Sequence, residues 1–172
     1  MNSDLVIDFV NTVSLDSDRE ELSSAARLRD WLSERGLEPG SRATTADLDD
    51  ALELREALRD LLSAHTGLET DVARATAVID GAAARARLAV RFADGRTRLQ
   101  PAAAGVRGAL GRIVAEVALG MADGTWERMK ACRADDCRWA FLDTAKNRTR
   151  AWCSMQSCGN RAKVQAYRER HA

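Results

Sequence analysis

No apolar run in this 172-residue chain could cross a membrane, because the stretch around 103–122 is broken by Arg107, Arg112 and Glu116. A basic leader is also missing. Met1-Asn2-Ser3-Asp4 has no positive charge, and the short run Leu5 to Val10 is cut by Asp8, so no signal peptide is read. A cytoplasmic, reducing setting is therefore expected. Proline occurs twice and no low-complexity tract interrupts the chain, which leaves one domain with an appendage or two small domains. Histidine is almost absent: His65 sits on an otherwise apolar helix face and reads as a buried, hydrogen-bonded residue, and the penultimate His171 as a frayed end. No nucleophile elbow, phosphate loop or metal-hydrolase helix occurs, so no catalytic residue is assigned and no enzyme is expected. Cysteine is missing from all 145 residues outside a single window.

Inside that window stand Cys132-x4-Cys137 and Cys153-x4-Cys158, separated by fifteen residues. Two short-spaced pairs can place four thiolates at the corners of a tetrahedron, as a structural zinc ion requires. The competing readings are two disulfides, redox chemistry or four free thiols. Disulfides belong to oxidising compartments, and a redox pair is more often spaced Cys-x-x-Cys. Four thiolates leave no open coordination position, so one zinc held by Cys132, Cys137, Cys153 and Cys158 would support structure and would not activate water.

Between the pairs, Arg138 to Thr144 suits a short strand, and Ala145 to Trp152 reads as a basic turn returning to the second pair. After Cys158 the residues through His171 are good helix formers with no breaker beyond Gly159. The expected order is knuckle, hairpin, then second pair at a helix N-terminus. From Arg128 to Arg170 the chain closely resembles the CGNR zinc-finger family, on the run Cys158-Gly159-Asn160-Arg161 together with Trp139, Phe141, Asp143, Lys146-Asn147-Arg148-Thr149-Arg150, Trp152-Cys153-Ser154-Met155 and Arg161-Ala162-Lys163. Asp8-Phe9-Val10-Asn11-Thr12 and Leu54-Arg55-Glu56-Ala57-Leu58-Arg59 resemble the helical domain that precedes this finger in that family. The resemblance implies a bacterial stress-induced transcription regulator, with RNA binding described for some members.

Overall charge is nil, with 26 basic and 26 acidic residues, yet it is unevenly placed. Residues 126–172 hold 11 Lys and Arg against 5 Asp and Glu, a balance of +6, and residues 1–125 hold 15 against 21, a balance of −6. A basic module joined to an acidic one suits nucleic acid, although 23 of the 26 basic residues are Arg, and a merely solvated basic face is the bland alternative. Lys146, Arg148 and Arg150 lie in a loop expected to have little packing duty and are candidate phosphate contacts. On a helical wheel Asn160, Lys163, Tyr167 and Arg170 share one face, and Arg161, Gln165 and Arg168 another; one of the two could pack on the hairpin. Asn160 and Arg161 have a second reading as braces of the metal site, with backbone N–H groups near Gly159 capping sulfurs and Arg161 pairing with Asp143. Trp139 and Trp152 could stack on bases, but with Phe141 and Met155 they better supply the finger's core.

The first 125 residues read as mainly helical. Ser23 or Ser24 caps a helix over 25–35, and Thr44 or Thr45 caps a long one with Ala51, Leu54, Leu58, Leu61, Leu62 and His65 on one face. A third runs from Asp71 to about Arg87, Asp94-Gly95 turns a hairpin, and a fourth covers about 103–122 with Val106, Leu110, Ile113, Val117 and Met121 on one side. Asp8 and Asn11 interrupt an apolar run and could line a pocket or cap a helix or turn. The expectation is a mainly α protein: a helical domain, 1–125, with one small hairpin, then a four-cysteine zinc-ribbon or treble-clef-like finger, 126–172, ending in a helix. Nucleic acid, DNA in the first place, is the expected partner. A homodimer would enlarge so small a contact, and the acidic domain is a candidate for sensing a small-molecule effector. The alternatives are an RNA-binding protein, or a protein-interaction module whose zinc is purely structural.

Overall fold

The computed structural model describes residues 2–171. Among the described residues, six α-helices and three two-stranded antiparallel ribbons, with a 3-10 turn at Trp126–Arg128 and a π-helical turn at Met155–Gly159, make up the regular structure. They are α1 (Ser3–Val10), β1 (Val13–Ser14), β2 (Arg19–Glu20), α2 (Ala25–Glu34), α3 (Thr45–Ala64), α4 (Val72–Ala86), β3 (Leu88–Ala93), β4 (Arg96–Pro101), α5 (Gly105–Asp123), β5 (Met129–Ala131), β6 (Ala140–Leu142) and α6 (Asn160–His171).

Local chemistry sets most of these boundaries. The Ser24 side chain accepts from the Arg27 N–H and starts α2. Thr44 and Asp47 form a reciprocal capping box at α3, and Asp71 caps α4. Gly124, at φ 78°, ends α5 in the left-handed conformation that glycine adopts at no steric cost. Asp94 and Gly95, both at positive φ, turn β3 into β4 as the dipeptide predicts.

Helices α3, α4 and α5 pack together, with α1 and α2 against them, around Phe9, Leu28, Leu32, Leu54, Leu58, Leu62 and Ile113. Where α4 meets α5, a Cβ at Gly111 would stand 2.4 Å from that of Ala86, so glycine permits this close approach. Met121, expected on the inner side of α5, is half exposed. The covalent boundary near residue 125 is not a boundary in packing. Trp126, Met129, Ala131 and Ala140 are buried in the same core as the helices, with β5 on α3 and β6 on α1. Burying these residues removes apolar surface at roughly 25 cal/mol per Å2 and ties the finger's ribbon to the helical body.

Candidate metal centre and nucleic-acid interface

The ribbon β5–β6 has two faces because successive side chains alternate. Its register pairs Met129 with Leu142, Lys130 with Phe141 and Ala131 with Ala140. The first and third pairs pack into the helical core, while Phe141 joins the cysteine cluster. The knuckle lies between the strands: the Cys132 N–H donates to the Trp139 carbonyl, and the Cys137 N–H closes a turn on the Ala134 carbonyl. The hairpin therefore encloses the knuckle and does not follow it, which corrects the order expected from sequence. A hydrogen bond from the Arg133 N–H to the Ala151 carbonyl brings the second cysteine pair alongside. Cys158 sits in a π-helical turn, Met155–Gly159, that runs directly into α6.

All four Sγ atoms lie within 4.8 Å of one another, with Cys137–Cys153 at 3.6 Å and Cys153–Cys158 at 3.7 Å. A tetrahedral zinc with sulfur ligands at ~2.3 Å has an S···S edge of about 3.8 Å, so the donor set fits the ion. The same separations are far beyond a disulfide bond of about 2.05 Å, and all four cysteines are free. Cys132, Cys137 and Cys158 are buried, and Cys153 is partly exposed. Packed this way, the thiols oppose one another's ionisation. Accepting a hydrogen bond from Cys137 holds the Cys132 thiol down to about 5, the same contact raises Cys137, and burial pushes Cys153 up to about 12. A dication resolves that conflict by stabilising every thiolate together.

Residues around the cysteines brace them. The Arg161 guanidinium donates to the Cys158 sulfur at 3.3 Å and pairs with Asp136 at 2.9 Å. Asp136, not Asp143, is its partner, because Asp143 is fully buried and already occupied. The Gly159 N–H donates to the Ser154 carbonyl, not to a sulfur. A Cβ at position 159 would lie 2.7 Å from the Met155 sulfur, so a larger residue there would push aside that flexible, half-exposed side chain. Trp139 and Trp152 pack half-buried on the cysteine cluster, but Met155 is largely exposed and lies outside it.

Asp143 accepts from the Lys130 ammonium at 2.7 Å and from the Ala145 and Arg150 N–H groups at 2.9 and 3.0 Å. Burial alone would raise its carboxyl; Lys130 and the two backbone donors outweigh that and hold it below the ordinary carboxylate range. Lys130 also donates to the Arg148 and Arg150 carbonyls, so the basic loop is wound around a buried ion pair. Within that loop Lys146 and Arg148 point to solvent. Arg150 does not. Its guanidinium donates to the Trp152 and Cys153 carbonyls and lies 4.7 Å over the Phe141 ring, so it packs the finger, contrary to the light duty expected of it.

Helix α6 has no buried residue, so neither of its faces packs on the hairpin. Lys163, Arg168 and Arg170 are exposed along it, and Asn160 turns its amide back to the Gln156 carbonyl. His171 stacks on Tyr167 and shares a hydrogen bond with its carbonyl. The exposed candidates Lys146, Arg148, Asn160, Arg161, Lys163, Arg168 and Arg170 thus lie on the loop and helix that flank the cysteines.

Several working residues escaped the sequence reading. Asn11 clamps Ala140 of β6, Arg138 of the knuckle reaches Asp60 and Ser63 on α3, and Lys130 pairs with Asp143. His65, read from the sequence as buried and hydrogen-bonded, does make a hydrogen-bond contact, with the Met129 carbonyl at 2.7 Å, but it is only half-buried, against the edge of Trp126. A polar residue inside an apolar run was the only signal for Asn11.

Two family models match the chain. Residues 3–124 match the ABATE model, described as "Putative stress-induced transcription regulator", and residues 128–171 match the CGNR zinc finger. No curated protein matches. Since the first model spans well over half of the chain, the protein belongs to that regulator family, and its CGNR finger holds one structural zinc ion on the four cysteines.

Proposed function

We propose that this member of the stress-induced regulator family binds DNA through its zinc finger and acts in transcription, in the cytoplasm and without catalysis of its own. The observation that carries this reading is α6: a cationic helix of 12 residues with none of them buried, anchored at one end by the zinc turn. A short helix is marginal in water by itself. Anchored by the metal and open on every side, it can enter a groove, while Lys146 and Arg148 beside it meet phosphates. Dimerisation would extend so small a contact. A polar cleft of about 710 Å3, lined by Arg35, Glu38, Arg112 and Glu116 among others, offers the helical domain a place for a small effector.

The test is titration of zinc-loaded protein against random duplex DNA and against RNA at about 50 and about 200 mM salt. Duplex DNA affinity should fall steeply with salt, and Lys146→Gln with Arg148→Gln should weaken it most at the lower salt and make that fall shallower by about 1.8 in log K against log salt, in line with loss of two phosphate contacts. Preference for RNA would replace DNA as the partner. No binding of either polymer at low salt would sink the reading in favour of a protein partner, for which exposed Val164 and Tyr167 on α6 would be the apolar contacts.

A further inference from the structure

The ribbon β3–β4 belongs to the half of the chain with negative balance, yet it has the opposite sign: Arg87, Arg91, Arg96 and Arg98 against Asp94 alone. Its register sorts the side chains. Leu88, Val90 and Phe92 pair with Pro101, Leu99 and Thr97 on one face; Ala89, Arg91 and Ala93 pair with Gln100, Arg98 and Arg96 on the other. The base of the ribbon is half-buried, with β4 against α5, and the outer part projects, with Phe92 83% exposed. A tight Asp94-Gly95 turn at positive φ fixes the tip.

Arg91 and Arg98 stand directly opposite each other. Like charges facing across a strand pair cost stability, because their Cβ atoms are only about 5 Å apart. Among the described residues neither of them, nor Arg96, makes an ion pair or a side-chain hydrogen bond. Packing gains nothing from three unpaired guanidinium groups on one face of a projecting ribbon. A polyanion does use them, since a guanidinium fork matches phosphate oxygens and relieves the repulsion between neighbours.

We infer that the β3–β4 ribbon is a second nucleic-acid-binding element, which sets Arg91, Arg96 and Arg98 against the phosphates of duplex DNA. A two-stranded ribbon has the width of the major groove. The inference rests on the DNA-binding reading above, and it places a contact in the helical domain as well as in the finger.

The experiment is the salt dependence of duplex affinity, by fluorescence anisotropy, for wild type, R91Q/R98Q and R96Q. Each lost phosphate contact should make the slope of log K against log salt shallower by about 0.9, so by about 1.8 for the double variant and about 0.9 for the single one. Melting temperature should be unchanged or higher in R91Q/R98Q, because the opposed charges are gone. Zinc should stay at one per chain. Two separate variants at solvent-facing positions keep the result readable if one of them folds poorly. Wild-type slopes in both variants, with binding still weakened by Lys146→Gln and Arg148→Gln, overturn the ribbon and leave the finger's role standing. Wild-type protein that binds no duplex overturns both.

Discussion

Ala140 lies on β6 where the strand meets α1, and its backbone groups are taken by a side chain in place of another strand. The Asn11 amide oxygen accepts from the Ala140 N–H at 2.8 Å, and its NH2 donates to the Ala140 carbonyl at 3.0 Å. Asn11→Ala leaves two buried backbone groups without partners, at about 1–3 kcal/mol each. Calorimetry should show a melting temperature lower by about 4–24 °C for a chain of this size; a drop under about 2 °C would refute the clamp. The pair Lys130–Asp143 gives a second case. Lys130→Met strands a buried carboxylate and should cost about 3–5 kcal/mol, measured by denaturant unfolding. Adding Asp143→Asn should recover part of that loss, because a neutral amide removes the stranded charge while its single oxygen keeps one of the two backbone hydrogen bonds; an additive double variant would argue against the pairing. Neither interaction was legible in the sequence. The partners of Asn11 lie 129 positions away, and spacing carries information only over a few turns or one hairpin. Cys132, Cys137, Cys153 and Cys158 were legible because their spacing is itself the chemistry of the site.

At the scale of elements, legibility follows the range of the forces. Helices α2, α3 and α4 start at capping side chains that are local signals, α5 has no such cap and is marked by its apolar spacing and the Gly124 stop, and Asp94-Gly95 marks its own hairpin. Strands β1, β2 and β5 are only two or three residues long and exist through their partners, so no periodicity could reveal them. Helix α6 was legible as a helix but not in its isolation. Without tertiary packing it relies on the zinc turn at its start. Hydrogen exchange should therefore find the amides from Val164 onward exchanging much faster than those of α3 and α5. Added duplex DNA should slow them if the helix reads it. Protection of α6 equal to that of α5 in free protein would contradict its unpacked state.

For the whole molecule, the shared core predicts that finger and helical body unfold as one cooperative unit. Met129, Ala131 and Ala140 are buried among helical residues, and Arg138 bonds to Asp60 and Ser63 on α3. Zinc binding free energy is thereby folding free energy of the entire chain. Chelation of the metal should lower the temperature of a single thermal transition that includes the helices. Two separate transitions, with the helical one indifferent to chelator, would show that the ribbon is a passive attachment. The cysteine spacing implied a finger that folds around its own metal; its union with the helices depends on the inward-facing alternation of two three-residue strands, a feature too short to read without the structure.

The position of that ribbon late in the chain has a consequence for synthesis. A ribosome delivers α1 to α5 first, and the surface of α1 and α3 that receives Met129, Ala131 and Ala140 stays open until those residues emerge. The helices then wait on the segment that carries the knuckle, and the second cysteine pair follows it. Metal supply is sampled only after the five helices have been made, so under zinc starvation the cell should accumulate incompletely closed chains with an exposed apolar seam, the kind of surface that chaperones and proteases engage.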